Sequence, residues 1–156
     1  MRIRPARERD VETLVDELWR PFMDALLADD PDTELADEFR EDAVEYRREQ
    51  LQETGRIDRV ADDDGRLLGY VSAEIQESAP VVDRGDTLHI NEVYVRPEHR
   101  RDGLGTALLA HAEEWGEQQG CVRLTLSVDA PNDGAQALYR EHGFETIRHR
   151  MRKPLE

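Results

Sequence analysis

The second half of the chain alternates strand patterns with helix patterns. β-branched and aromatic residues dominate residues 87–95 and 122–128, whereas residues 103–119 and 133–142 carry apolar side chains at helical spacing. Strands that alternate with helices only in this half of a chain imply a mixed sheet with helices on both faces. The pattern predicts an α/β protein, of the α+β-like kind in which the sheet is mixed.

The first half of the chain predicts one short strand, two helices and a hairpin. An acidic loop over residues 28–33 separates the helices, and Pro21 breaks or kinks the first of them. Asp64-Gly65 is a hairpin turn signal. The remaining predicted elements are strands over residues 2–4, 57–61, 67–75 and 144–152, and helices over residues 8–27 and 34–53. The predicted order is β-α-α-β-β-β-α-β-α-β, in a single domain over residues 1–156.

The composition excludes several classes of function. The chain has 36 acidic and 21 basic side chains, and its net charge of −15 disfavours general nucleic-acid binding. It has no apolar run of membrane-spanning length and no signal peptide, and the single cysteine, Cys121, cannot build a disulfide framework. The histidines show no metal-ligand spacing, so we expect no metal site. These observations predict a cytoplasmic protein without a membrane or nucleic-acid partner.

The acidity indicates the environment of the protein rather than its function. Lys153 is the single lysine, and the acidic residues are spread along the whole chain. We associate this composition with a high-salt cytoplasm, where a large net charge keeps a protein in solution. An acidic groove for a cationic substrate is the alternative, but the spread of the acids favours a solvated, halophilic-type surface.

A turn with two glycines joins strand 87–95 to the helix that follows it. Gly103 and Gly105 stand at the start of that helix, where backbone N–H groups and the helix dipole favour an anion. Arg96, Arg100 and Arg101 add positive charge beside the turn. The segment suits a pyrophosphate, and a tight strand-to-helix turn with incidental arginines is the alternative.

Two motifs in this region resemble those of the GNAT N-acetyltransferase superfamily. The first, V-x-P-x-x-R followed by [Q/R]-x-x-G-x-[G/A], is matched by Val95, Pro97, Arg100, Gly103 and Gly105. The second, N-x-x-A-x-x-L-Y-x-x-x-G-F, is matched by Asn132, Ala135, Leu138, Tyr139, Gly143 and Phe144. The resemblance covers residues 87–144, and the N-terminal half agrees in element order.

The resemblance implies a GNAT-type fold in which two central parallel strands, 87–95 and 122–128, splay apart around acetyl-CoA. Backbone groups of the first strand would bind the pantetheine arm, and amides of the turn would hold the pyrophosphate. The implied cofactor-binding residues are Val93, Tyr94, Val95, Arg100, Arg101, Asp102, Gly103, Leu104, Gly105, Thr106, Asn132 and Tyr139. CoA would leave as a product.

The resemblance also implies two catalytic residues. Tyr139 matches a tyrosine that protonates the departing thiolate, and a core tyrosine is the alternative. Glu92 is the carboxylate available as base on the strand before the turn, and His89 or water alone are the other candidates. Asn132 caps its helix, contacts the cofactor, or does both.

Strand alternation groups the side chains around Glu92. It places His89, Asn91, Val93 and Val95 on one face, and Ile90, Glu92 and Tyr94 on the other. A β-bulge, which is frequent near active sites, would change this parity.

We therefore expect an acetyl-CoA-dependent N-acetyltransferase that moves the acetyl group directly to a primary amine of a small molecule. A protein lysine or N-terminus is the second acceptor class, although Ser127 replaces the Glu of the ribosomal-protein N-terminal acetyltransferases. A non-catalytic acyl-CoA-binding sensor is a third reading. After Phe144 there is room for one strand where many relatives have two. We therefore expect part of the acceptor wall to be either missing or supplied by the partner subunit of a homodimer.

Overall fold

The computed structural model describes residues 1–155, and its centre is a five-stranded mixed sheet. The strands are β1 (Arg2–Pro5), β2 (Arg56–Asp63), β3 (Arg66–Gln76), β4 (Thr87–Val95) and β5 (Arg123–Leu126), in the spatial order β1-β2-β3-β4-β5. The first four strands pair antiparallel, and β5 runs parallel to β4. The structure confirms the predicted mixed α/β fold.

The helices lie at the predicted places with one correction near Pro21. They are α1 (Val11–Thr13), α2 (Arg20–Ala28), α3 (Phe39–Gln52), α4 (Leu104–Gln118) and α5 (Asp133–Glu141), with a π-helical segment (Leu14–Trp19) and 3₁₀ turns at Glu8–Asp10 and Pro97–His99. The π-helical segment connects α1 to α2 without interruption, and the Arg20 N–H donates to the Val15 carbonyl. Pro21 does not break the helix, because it directly follows the π-helical segment, where the backbone bonds already depart from the i→i−4 spacing that its missing N–H would serve.

Helices cover both faces of the sheet, as the sequence predicts. On one side, which we call the α4 face, buried apolar residues of α4 pack on β2, β3 and β4, among them Leu104, Leu108 and Ala112. On the other side, the α3 face, Leu14 and Leu18 pack on the strands, while Val11, Val15 and Val44 join α1 and the π-helical segment to α3.

The predicted last strand, residues 144–152, is wrong for the described chain. The segment is irregular, and its apolar side chains Ile147 and Met151 are 73% and 93% exposed. A strand needs a pairing partner, and residues 144–152 pair with no strand within residues 1–155. Near the end of the segment, Arg152 forms an ion pair with Asp30 at 2.7 Å. The sheet order of the described residues ends at β5.

Two other boundaries are narrower than predicted. The helix expected over residues 34–53 begins at Phe39, and the strand expected over residues 122–128 is limited to β5. No helix in residues 1–155 is both long and apolar enough to cross a membrane.

Candidate active site

The two parallel strands separate part-way along the sheet. Pairing between β4 and β5 runs from Thr87 opposite Arg123 to Ile90 opposite Leu126, and it stops there. β4 continues for five more residues, to Val95, while β5 has already ended. The sheet therefore opens into a gap beside the second half of β4.

A β-bulge at Asn91 marks the start of this gap. Ser72 of β3 faces Glu92, whereas the next residue of β3, Ala73, faces Ile90, so Asn91 is left over. Ile90 accordingly packs with Val95 on the α4 face, and Glu92 lies on the α3 face. The alternation predicted without a bulge is wrong for Ile90, because the extra residue reverses the parity between Ile90 and Glu92.

Glu92 is held by a buried arginine and a buried tyrosine. Arg47 Nη2, from α3, donates to both carboxylate oxygens at 3.0 and 3.2 Å. The Tyr70 hydroxyl, from β3, donates to Glu92 Oε2 at 2.6 Å. Three hydrogen bonds from two donor groups therefore hold the Glu92 carboxylate. The side chain of Glu92 is 17% exposed, so it remains partly open to solvent.

Burial and charge set the protonation of the two donors. Burial raises the pKa of Tyr70 well above its usual value, and the negative charge of Glu92 adds to the effect. Burial disfavours the charged form of Arg47, but the attraction of the Glu92 carboxylate outweighs it, and the pKa of Arg47 is raised. Tyr70 therefore remains a neutral donor and Arg47 remains a cation.

Arg47 and Tyr70 are site residues that the sequence interpretation missed. A signal for Arg47 exists: it continues the buried stripe that Val44 begins on α3, and a charged residue at such a position needs a partner inside the fold. Tyr70 lies in an apolar strand with buried residues on both sides, so nothing in its local sequence separates it from the core.

His89, the other candidate base, lies just before the gap. Its Nδ1 is 2.9 Å from Thr125 Oγ1, across the paired part of β4 and β5. His89 therefore links β4 to β5 near the end of their paired region.

The turn between β4 and α4 has a backbone that exposes its amides. Arg101 and Gly103 have φ values of 69° and 82°, in the left-handed region. The first N–H groups of α4 have no intrahelical acceptor, as in any helix. A Cβ added to Gly105 would meet only Val95 Cγ2, at 3.9 Å, so packing within the described chain does not require a glycine there.

The three arginines near the turn have different partners. Arg96 donates to the Leu67 carbonyl at 2.7 Å and to Glu17 at 2.9 Å. It therefore connects the end of β4 to β3 and to the π-helical segment. Arg100 Nε donates to the Val95 carbonyl at 2.9 Å, and its guanidinium lies 5.3 Å from the centre of the Tyr94 ring. Arg101 is exposed.

Tyr139, on α5, packs on the α4 face of the sheet. It is half-buried against the α4-face core, next to Phe144 at a ring-centre distance of 5.8 Å. Burial raises the pKa of its phenol. Glu92 makes its hydrogen bonds on the opposite face, so the two predicted catalytic side chains lie on different faces of the sheet.

The first turns of α4 and α5 are fixed by side-chain contacts. Asn132 Oδ1 accepts from the Ala135 N–H at 3.0 Å, which confirms that Asn132 caps α5. Thr106 Oγ1 lies 3.0 Å from His142 Nε2 and connects the first turn of α4 to the end of α5. Leu104 is buried in the α4-face core.

Comparison with known proteins identifies the family of this arrangement. The family model for the acetyltransferase (GNAT) family matches residues 11–144, from α1 to the residue just past α5. The chain belongs to the GNAT family. Acetyl-CoA is the standard cosubstrate of GNAT proteins.

Individual GNAT relatives match parts of the chain or its fold. An aminoglycoside N(6')-acetyltransferase type 1 of Klebsiella aerogenes is 30% identical over 94 residues, 59% of this chain and 62% of that protein. The structure of an aminoglycoside 6'-N-acetyltransferase of Acinetobacter haemolyticus has a TM-score of 0.74 at 22% identity and covers 100% of this chain and 99% of its own. An aminoglycoside N-acetyltransferase solved in complex with CoA has a TM-score of 0.75 at 21% identity, with 99% and 93% coverage.

The sequence relatives are matched over only part of their length. The chain spans 62% of the Klebsiella protein and less than half of two further curated relatives, from Methanocaldococcus jannaschii and Kocuria rhizophila. The family assignment therefore rests on the family model, which matches residues 11–144.

Proposed function

We propose that the protein is an acetyl-CoA-dependent N-acetyltransferase that acts on a primary amine of a small molecule. The observation that carries the proposal is the gap between β4 and β5, with Glu92 on one side of the sheet and Tyr139 on the other. An amine that enters from the α3 face would meet a carboxylate, and a thiol that leaves toward the α4 face would meet a phenol.

The residues around the turn fit the cofactor. Gly105 has open space where a side chain would be, and such space gives a bound pyrophosphate access to the amides of residues 101–106. Backbone groups of Val93, Tyr94 and Val95 line the unpaired part of β4, where the pantetheine arm would pair. Arg100 uses one lone pair of the Val95 carbonyl and leaves the other available.

Acetyl-CoA supplies an acetyl thioester, and Glu92 and Tyr139 transfer the protons that the reaction releases and consumes. The N–C bond to the amine forms as the C–S bond breaks. Glu92 accepts one proton from the ammonium group of the acceptor, directly or through water, and so frees the amine for attack. The Tyr139 phenol gives its proton to the departing sulfur, and the second proton of the nitrogen, lost after attack, returns through water to the Tyr139 phenolate. A phenol is protonated at neutral pH, as this role requires, and the burial that raises the pKa of Tyr139 keeps it so.

A small-molecule amine is our first choice of acceptor. The α3 face beside the gap carries Glu74 as well as Glu92, and a cationic amine is attracted to such carboxylates. Relatives named aminoglycoside acetyltransferases are consistent with a polycationic small molecule. A protein lysine or N-terminus is the second candidate, since one relative is a putative ribosomal-protein alanine N-acetyltransferase.

Thiol release from acetyl-CoA tests the proposal. We would assay the protein in molar KCl with aminoglycosides, polyamines, simple amines and peptides, beside Tyr139→Phe. We expect turnover with one class of amine and a loss of roughly 10²-fold or more in kcat for Tyr139→Phe, with acetyl-CoA affinity retained. Acetyl-CoA binding without turnover on any acceptor would support the non-catalytic sensor instead.

We also propose that the protein forms a homodimer. The outer edge of β5 is unpaired within residues 1–155, and the strand-like segment 144–152 has exposed apolar side chains and no strand partner among those residues. A second copy would supply each with a partner, because an unpaired strand edge is a template for another strand. Light scattering in molar KCl tests this, and a monomer at micromolar concentration would contradict it.

We place the protein in a high-salt cytoplasm, on the strength of its −15 charge. Acetyl-CoA is itself anionic, so raising KCl into the molar range should preserve or tighten its binding. Steep weakening over that range would contradict this assignment.

A further inference from the structure

We propose that Arg47 is a positioning residue for the reaction: it acts through Glu92, with Tyr70 as its partner. This inference rests on the proposed function, because it assumes that Glu92 receives the proton of the acceptor amine. The inference makes the reaction depend on α3 as well, because Arg47 lies on that helix, 45 residues before the Glu92 carboxylate that it contacts.

The geometry fixes Glu92 in one orientation. Arg47 Nη2 contacts both carboxylate oxygens, and the Tyr70 hydroxyl contacts one of them at 2.6 Å. Rotation of the carboxylate would break at least one of these charge-assisted hydrogen bonds. The Arg47 guanidinium also lies 5.5 Å from the centre of the Tyr70 ring, so the two donors support each other.

The burial of Arg47 argues against a merely stabilising ion pair. The Arg47 residue is 4% exposed, and its Nη1 has no hydrogen-bond partner among the described residues. A buried ion pair gives little net stability compared with apolar residues of the same size. An incompletely satisfied guanidinium in this position is better explained by what it does to Glu92.

A second ion pair on α3 is exposed to solvent, in contrast to the buried pair of Arg47 and Glu92. Arg40, seven residues earlier on α3, pairs with Asp16 at 2.8 Å, but both side chains are almost half exposed to solvent. Its partner faces water and does not line the gap. Arg40 is therefore the matched control for Arg47.

Other charged and titratable groups also lie around Glu92. Those on the same face or within electrostatic reach are Arg47, Tyr70, Asp58, Arg56, Glu74 and His89. Arg56 is engaged by Ser72 and Glu74, and His89 by Thr125. Arg47 is the cation in direct contact with Glu92, so its removal should dominate the change.

The first experiment measures kcat and KM of acetyl transfer for Arg47→Met and Arg40→Met. We expect Arg47→Met to lower kcat by roughly tenfold or more, with the KM for acetyl-CoA unchanged. Arg40→Met should leave both kcat and KM unchanged. An unchanged kcat in Arg47→Met, or a loss that appears in the KM for acetyl-CoA instead of in kcat, would overturn the proposal.

A double-mutant cycle separates this inference from the proposed function. If Arg47 acts through Glu92, Arg47→Met should cause no further loss of kcat in a Glu92→Gln protein. Multiplicative losses would overturn the inference while leaving the acetyltransferase function intact. Full activity of Glu92→Gln would overturn both the base role and the inference, and absence of thiol release by the unaltered protein would overturn the function itself.

Two further variants keep the test interpretable if Arg47→Met does not fold. Arg47→Lys retains the charge without the planar donor and should recover part of kcat. The Arg47→Met/Glu92→Gln protein has neither buried charge, so it should fold. Equal kcat for that protein and for Glu92→Gln supports the proposal, and a lower kcat for the double variant contradicts it.

Discussion

The two faces of the sheet differ in the polarity of their buried residues. The α4 face is a continuous apolar layer in which residues such as Leu88, Leu108 and Ala112 are fully buried. The α3 face is also buried, but it contains Arg47, Ser72 and Arg56 among its apolar residues, together with the mostly buried Glu92. The first arrangement stabilises the fold and positions the start of α4, whereas the second tolerates buried charge beside the gap.

This difference is the reason we propose that the active site lies beside the α3 face. Burying charged groups costs free energy unless they are paired, and apolar replacements of similar size would stabilise the fold at least as well. The α3 face has buried charge where β4 and β5 separate, whereas no charged residue of the described range 1–155 is buried in the α4-face core. Substitutions on the two faces should therefore have different effects.

The largest effect on stability is expected on the α4 face. Leu108→Ala should lower the free energy of unfolding by about 2–5 kcal/mol, because Leu108 is fully buried and its loss leaves a cavity. Chemical denaturation at fixed KCl would measure the change. The folded variant should retain its affinity for acetyl-CoA. A loss below about 1 kcal/mol would contradict the view of this face as the tightly packed one.

Two glycines near the gap should respond in opposite ways. A Cβ at Gly69 would lie 2.5 Å from the Tyr94 carbonyl oxygen, so Gly69→Ala should destabilise the fold by about 1–3 kcal/mol. Gly105 has no such neighbour and lies in α4, so Gly105→Ala should leave stability unchanged or raise it by up to about 1 kcal/mol.

The same pair distinguishes packing from ligand binding. Gly105→Ala should weaken acetyl-CoA binding, measured by calorimetry, if the open space at Gly105 receives the pyrophosphate. Unchanged affinity in Gly105→Ala would show that this part of the turn does not approach the ligand.

On the α3 face, Tyr70→Phe should reduce stability by about 1–2 kcal/mol at neutral pH, since it removes one hydrogen bond to a charged group. The pKa of Tyr70 is raised well above its usual value by burial and by Glu92. The contribution of its neutral form is therefore complete below pH of about 10 and is lost as pH rises above that value, where the unfolded chain ionises. The stability difference between the unaltered protein and Tyr70→Phe should narrow above pH 10. A difference that stays constant would contradict the burial of this phenol.

The smallest effect is expected at the start of α5. Asn132→Ala should cost about 1 kcal/mol, the usual loss for a helix cap, because its side chain accepts from the Ala135 N–H. Asn132→Ser keeps a capping oxygen and is the matched control. Equal acetyl-CoA affinity in both variants would assign Asn132 to capping alone, and a selective loss of affinity in both would add a cofactor contact.

The sequence predicted most of the framework because local patterns specify it. The strand, glycine turn and helix around Gly103 are adjacent in the chain, and so are the cap and helix from Asn132 to Phe144. The prediction of a strand over residues 144–152 is wrong in the described chain. Alternating apolar residues indicate that a segment can form a strand, but pairing with a neighbouring strand decides whether it does.

The orientation of Glu92 could not be predicted from the local sequence pattern. The sequence singled out Glu92 by its position before the turn, but it could not give the face on which the carboxylate lies. A single bulged residue, Asn91, reverses that parity, and bulges depend on the register with β3.

By itself, the sequence determined the mixed α/β fold, the GNAT family and the candidate residues Glu92 and Tyr139. The tertiary structure decided that Arg47 and Tyr70 hold Glu92, and that the two candidate catalytic side chains lie on opposite faces. The reason is the range of the interactions. Helical spacing, turns and caps act within a few residues, whereas the partner of a buried charge is chosen by elements that meet only when the chain folds.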